Sequence, residues 1–183
     1  MTDPTVAPGE SADPASGENR SRSGSVTRGF LFADLRGYTS FIEHHGAAAA
    51  AELLTRYRLL VRAVIERFDG AEIRTEGDSF YVVFASVSSA VQAGIAIAAD
   101  AAADGSFEPI AVGVGIHAGE TVETSEGYVG TPVNIAARLC AIATPGQVLV
   151  SDTVRALTQT VLPVRFRSIG RRTLKGVSDS IAV

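Results

Sequence analysis

The strongest constraint on this chain is the stretch Phe30-Leu31-Phe32-Ala33-Asp34-Leu35-Arg36-Gly37-Tyr38-Thr39-Ser40-Phe41. An apolar run ends on one carboxylate, a glycine follows, and Thr39 and Ser40 open a helical pattern. A strand of this kind delivers Asp34 to its tip beside a helix N-terminus. There a carboxylate can hold a metal ion and free helix amides can hold a phosphate. The same residues also read as an ordinary Asp in a strand-to-helix turn. A second carboxylate adds to the pattern. Asp78, in Arg74-Thr75-Glu76-Gly77-Asp78-Ser79-Phe80, lies between two apolar runs. A tight hairpin turning at Gly77-Asp78 would place it at a strand tip as well.

The rest of the chain arranges itself around these two points. Residues 1–27 are rich in Pro, Gly, Ser and acidic residues and poor in large apolar ones, which predicts a disordered tail ahead of one domain over 28–183. Within that domain the spacing predicts a strand over 30–33, a short helix over 38–45 and a longer one over 47–68 that stops at Gly70. A hairpin over 71–75 and 79–84 follows, then a helix to about 103 capped by Ser86 or Ser88. A strand over 110–120 carries alternating glycines, the mark of close backbone approach. A hairpin or loop over 122–130, a helix over 132–143, a strand over 147–150 and a short helix capped at Ser151-Asp152 come next. Strands over 164–169, 172–174 and 180–183 close the chain. This order predicts an α+β, ferredoxin-like βαββαβ sandwich, mainly antiparallel with helices on one face, plus a C-terminal αβ extension.

Composition narrows the function classes. A net charge of -4 does not indicate general nucleic-acid binding. No apolar run has the length of a membrane span, and no charged-then-apolar leader opens the chain, so a cytoplasmic location is expected. The single cysteine, Cys140, cannot form an internal disulfide and fits a reducing compartment. Lys175 is the only lysine among sixteen basic residues, which hints at a specific task for it.

A third stretch carries chemistry: Tyr128-Val129-Gly130-Thr131-Pro132-Val133-Asn134-Ile135-Ala136-Ala137-Arg138-Leu139. Asn134 and Arg138, four apart on a helix, share one face. Together they suit a sugar and a phosphate, and equally a solvated helix face. Taken together, FADLRGYTSF, RTEGDSFYVVF, YVGTPVNIAARL followed by PGQVLVS, and the late Leu174-Lys175-Gly176 resemble the catalytic domain of class III adenylyl and guanylyl cyclases. Short mycobacterial-type members look most similar.

That resemblance implies a set of roles. Asp34 and Asp78, with the backbone carbonyl of Leu35, would hold two divalent cations, Mg2+ or Mn2+. The amides of Arg36, Gly37, Tyr38 and Thr39 would cradle phosphate. Asn134 would orient the ribose, Arg138 would stabilise charge at the α-phosphate, and Lys175 would bind the terminal phosphates. The substrate would be ATP by default, giving cyclic AMP and pyrophosphate, with GTP the alternative. The site would lie between the subunits of a homodimer, each sharing residues with the other. A nucleotide-binding regulatory module with negligible turnover is a further alternative.

The sequence departs from the family pattern at the base. Arg74 stands where adenylyl cyclases carry Lys, and Gly127 stands where they carry Asp or Thr. Guanylyl cyclases place Glu at the first position and a small residue at the second. Alternation along the strand predicts Glu72, Arg74 and Glu76 on one face, with either Glu able to read a base or to pair with Arg74. His117 is expected to be a structural histidine, and His44 and His45 surface residues.

Overall fold

The computed structural model describes residues 26–105, 109–125 and 127–183. Six strands form the main sheet: β1 (Val26–Leu35), β2 (Gly70–Glu76), β3 (Ser79–Phe84), β4 (Val112–Thr124), β5 (Gly127–Val129) and β6 (Val148–Val150). Their order is β2-β3-β1-β4-β5, with β6 joined to β4. Every neighbouring pair on that path is antiparallel, and only β6 runs parallel to its partner. The helices are α1 (Tyr38–Arg67), α2 (Val87–Ala102), α3 (Thr131–Ile142) and α4 (Asp152–Thr158). The sequence β1-α1-β2-β3-α2-β4 with central order β2-β3-β1-β4 is the ferredoxin-like arrangement expected.

Strand alternation divides the core in two. Leu31, Ala33 and Leu35 of β1, with Phe80, Val82 and Phe84 of β3 and Val112, Val114 and Ile116 of β4, face α1, α2 and α4. On α1, Leu53, Tyr57, Val61, Val64 and Ile65 recur at helical spacing and are buried there. The two helices expected before β2 meet at Gly46, which breaks the helical path with φ 81 and ψ 170. Phe30, Tyr81 and Val83 face the other way and pack with Ala136 of α3. Helices on one face is thus right for α1, α2 and α4, whereas α3 lies against the opposite face.

Glycines permit this. Gly113, Gly115 and Gly119 of β4 all point to the α3 side. A Cβ on Gly115 would stand 2.0 Å from the backbone nitrogen of Cys140, and one on Gly119 would stand 2.7 Å from Pro132. The helix therefore rests on the strand backbone itself, the close approach that the glycine alternation predicts.

Three expectations shift. The tail expected over 1–27 lies outside the described residues except for Val26 and Thr27, which already belong to β1. They pair with Thr121 and Glu120 because β4 runs on past His117 and offers them a partner. The strand expected over 164–169 forms no ladder. Its alternation reflects burial, since Val164 and Phe166 pack on the main core and Ile169 on a second one. The later strands shrink to β7 (Arg171–Arg172) and β8 (Ile181–Ala182), a two-residue ladder.

His117 is structural, as expected. It is 7% exposed, and its Nδ1 lies 2.6 Å from Oγ of Ser151, the cap of α4. Burial pushes its pKa down to about 4. The unfolded chain therefore binds the extra proton between about pH 6.5 and 4, so stability falls as pH drops through that window. Urea unfolding at pH 7.5 and pH 5 will show a loss of about 2 kcal/mol from this residue, absent in His117→Gln. Gly115→Ala will lower stability by about 3 kcal/mol in the same measurement, because the clash is with helix backbone and cannot be relieved by a rotamer.

Candidate functional site

The two carboxylates meet at one end of the sheet. β1 and β3 pair down to Ala33 opposite Phe80, so Asp34 and the tip of the β2–β3 hairpin share the next level. The hairpin turns in two residues, with Gly77 at φ 59, and closes at Glu76 opposite Ser79. Arg58 of α1 donates to the Gly77 carbonyl and ties the turn to the helix. Burial and the neighbouring charge of Asp78 push the Asp34 carboxyl above its usual range, against the pull of Arg36. Two acids that repel one another in a half-buried site favour a cation between them.

Arg36 is oriented differently from the expectation. Its amide donates to the Ala111 carbonyl at 2.7 Å, so it is not free to bind phosphate. Its side chain turns inward over Gly113, pairs with Asp34 at 2.9 Å and donates to the Cys140 carbonyl near the end of α3. The amide stays in the β1–β4 register because Leu35 still pairs with Val112. Helix α1 begins after it: Gly37, at φ 72, is the N-cap and gives no side-chain cap, leaving the first-turn amides of Tyr38 and Thr39 without one.

A second locus lies on the α3 side of the sheet. Arg74 pairs with Tyr81 in register, and Glu76 with Ser79, so both point to that face. Phe32 and Tyr81 stack there at 4.8 Å with planes 4° apart. With Tyr128 and Val133 they frame a cavity of 200 Å³. Arg74 and Glu76 form an ion pair across its mouth at 3.2 Å. Glu72 does not join them. The β2–β3 register slips between Glu72 and Arg74, an irregularity that inserts Ile73 and puts Glu72 opposite Val82 on the α1 face. There Arg62 grips Glu72 with two bonds of 2.9 Å and Thr75 adds a third. These bonds hold its carboxyl below the usual range, Arg62 contributing most. A regular alternation cannot reveal such a slip, which is why the sequence places all three on one face.

Gly127 opens β5 at φ 116, and a Cβ there would stand 2.6 Å from Cγ2 of Ile73. Phe32, Ser79, Tyr81, Tyr128 and Val133 are the pocket residues that the sequence reading passes over. For Phe32, Ser79 and Tyr81 the signal is the alternate set of β1 and β3 positions left over once the core face is assigned. Asn134 and Arg138 are exposed together on α3, as expected, while Ile135 and Leu139 anchor the helix. Leu174 packs against that same pair, so exposed Lys175 sits on a turn docked to α3. Asp34 and Asp78 thus form one group at the strand tips. Asn134, Arg138 and Lys175 form another around α3, beside the cavity of Arg74 and Glu76.

The donor set suits hard cations. Among the described residues no three His, Cys, Asp or Glu side chains cluster. Two carboxylates at neighbouring strand tips are the kind of sparse oxygen set with which Mg2+ keeps room for water and substrate phosphate.

The family model for the adenylate and guanylate cyclase catalytic domain matches residues 20–182. An uncharacterised Mycobacterium tuberculosis protein is 32% identical over 133 residues, 73% of this chain and 35% of its own length. The chain thus spans about a third of the curated relatives it first matches. The structure of an adenylate/guanylate cyclase/hydrolase from Silicibacter pomeroyi superposes with a TM-score of 0.78 at 27% identity, over 87% of this chain and 95% of that one. The adenylyl cyclase CyaB from P. aeruginosa shares the fold, with a TM-score of 0.72 at 24% identity over 85% and 91% of the two chains. The guanylate cyclase domain of RhGC from Catenaria anguillulae, solved with GTP, does so at 0.77 and 17% over 86% and 94%. A family match over nearly the whole chain shows that this protein belongs to the adenylate and guanylate cyclase catalytic-domain family.

Proposed function

We propose that the chain is a nucleotidyl cyclase domain that closes a purine nucleoside triphosphate to its 3',5'-cyclic monophosphate and releases pyrophosphate. The observation that carries this reading is the pair Asp34 and Asp78, brought close enough at the strand tips for one to raise the pKa of the other. Both side chains, with the Leu35 carbonyl, would hold two divalent cations, Mg2+ or Mn2+. Bound there, the cations supply Lewis-acid stabilisation to the attacking oxygen and to the triphosphate.

The chain's own residues supply the rest. The amides of Gly37, Tyr38 and Thr39 bind phosphate at a helix start, where the peptide dipoles favour negative charge. Asn134 hydrogen-bonds the ribose and sets the angle of its 3'-hydroxyl. Arg138 carries a fixed positive charge to the α-phosphate, where negative charge grows during attack. Lys175 holds the terminal phosphates as a point charge. Arg74, Glu76 and Gly127 frame the base. No protein nucleophile takes part, because the ribose hydroxyl attacks. ATP is the default substrate implied by the resemblance, and GTP is the alternative.

The two groups of residues project from different elements. A homodimer in which one chain's carboxylates face its partner's α3 would complete two equivalent sites. No described helix is long and apolar enough to cross a membrane.

Asp34→Ala will reduce cyclic nucleotide formation with either Mg2+ or Mn2+ by roughly 100-fold or more. Turnover equal to wild type would remove the metal assignment. Asp78→Ala and Arg138→Ala chains, each inactive alone, will regain up to about one quarter of wild-type turnover when mixed, since half the dimers are mixed and each has one intact site. A mixed dimer confirmed by tagging but without activity would rule out shared sites.

A further inference from the structure

The polar groups at the mouth of the aromatic cavity settle into an unusual arrangement. In a purine pocket the edge of the base must meet donors and acceptors that match its own. At position 127 the strand β5 supplies no side chain, and its next residue, Tyr128, lines the cavity wall with its ring. Gly127 has φ 116, a conformation that disfavours any other residue, and Ile73 fills the space into which a Cβ would point, 2.6 Å away. The same register irregularity that pushes Ile73 toward Gly127 turns Glu72 to the opposite face, where Arg62 and Thr75 occupy it. Glu76 is the carboxylate left lining the cavity, beside Arg74.

The ion pair leaves both partners with capacity. Arg74 uses one nitrogen, Nη1, and Glu76 uses one oxygen, Oε1. A guanidinium has five N–H donors and a carboxylate two oxygens. The side chains are 55% and 73% exposed, so they can turn toward a base stacked on the Phe32–Tyr81 wall. Guanine presents O6 as acceptor and N1–H and N2–H as adjacent donors. A carboxylate accepts both donors in a bidentate contact, and Arg74 donates to O6. Adenine presents only N1 and the N6 amino group, giving one contact to each side chain.

We infer that Glu76 is the specificity-determining residue of this pocket and that, with Arg74 as its donor partner, it selects guanine over adenine. This rests on the reading of the cavity as the purine site of the proposed cyclase. The acceptor that position 127 cannot provide is provided from β2, two residues beyond Arg74 and on the same face. Base choice is thereby moved from two strands to one.

Binding and turnover separate this inference from the reading beneath it. The probes are 3'-deoxy-GTP and 3'-deoxy-ATP, which lack the attacking hydroxyl, titrated calorimetrically with Mn2+ into wild type and Glu76→Leu. Wild type will bind the guanine analogue about ten-fold tighter, and the variant, which gives up two contacts to guanine and one to adenine, will lose that preference. Inosine triphosphate, which lacks the N2 amino group, will compete more weakly than GTP in wild type and equally in the variant. Equal affinities in wild type, a guanine-to-adenine ratio unmoved by Glu76→Leu, or no binding of either analogue would overturn the assignment. Product formation from GTP and ATP is measured separately. A guanine preference in binding with no cyclic product would overturn the cyclase reading and leave the assignment of Glu76 standing.

Discussion

The contact between α3 and the bare backbone of β4 governs the rest of the structure. With Gly113, Gly115 and Gly119 carrying no side chains, the helix comes down until the backbone of Cys140 lies where a Cβ of Gly115 would be. That depth fixes three things at once. It places Asn134 and Arg138 at a set height beside the sheet, it lets Val133 close one wall of the aromatic cavity, and it brings the Cys140 carbonyl within reach of Arg36. A helix held off by ordinary side chains would stand several ångströms farther out, and none of these relations would hold.

Arg36 links that contact to the carboxylates. Its guanidinium occupies the space over Gly113, pairs with Asp34 and reaches the last turn of α3. A positive charge beside two acids offsets part of their repulsion, yet burial and Asp78 still leave Asp34 above its usual pKa. Repulsion left between two neighbouring acids is a condition that favours an added cation. The fork shape matters as much as the charge, because one planar group spans a carboxylate on β1 and a carbonyl on α3.

Much of this was legible in the sequence, and the reason differs by residue. Asp34 is readable because it ends an apolar run, and Asp78 because it sits in the turn between two such runs, so strand tips follow from pattern alone. The close approach of α3 is readable from alternating glycines, which serve few other ends in a central strand. The face that α3 covers is less readable, since alternation shows that two faces exist without saying which helix takes which. The path of Arg36 was hidden for another reason. Its amide is claimed by Ala111 and its side chain by residues distant in sequence, and neither partner leaves a local signal. The strand expected over 164–169 failed because alternating apolar residues record burial, whereas a ladder needs a free neighbouring backbone.

The slip at Ile73 shows why the cavity end of β2 resists sequence reading while the carboxylates at the strand tips do not. Carboxylates at strand tips are positioned by where the strand stops, and a residue inserted upstream leaves the tip in place. Side chains along the strand are positioned by parity, and one inserted residue sends every earlier position to the other face. Glu72 and Glu76 have the same spacing from Arg74 and opposite fates, one bound to α1 and one lining the cavity. Because the slip lies between Glu72 and Arg74, it leaves Arg74, Glu76 and the turn at Gly77-Asp78 in one continuous register. The cavity-lining pair is therefore locked in phase with Asp78 at the tip, while the residues before it are free to serve the packing of α1. A hairpin built this way can change the side chains that line the cavity without disturbing the carboxylate at its tip.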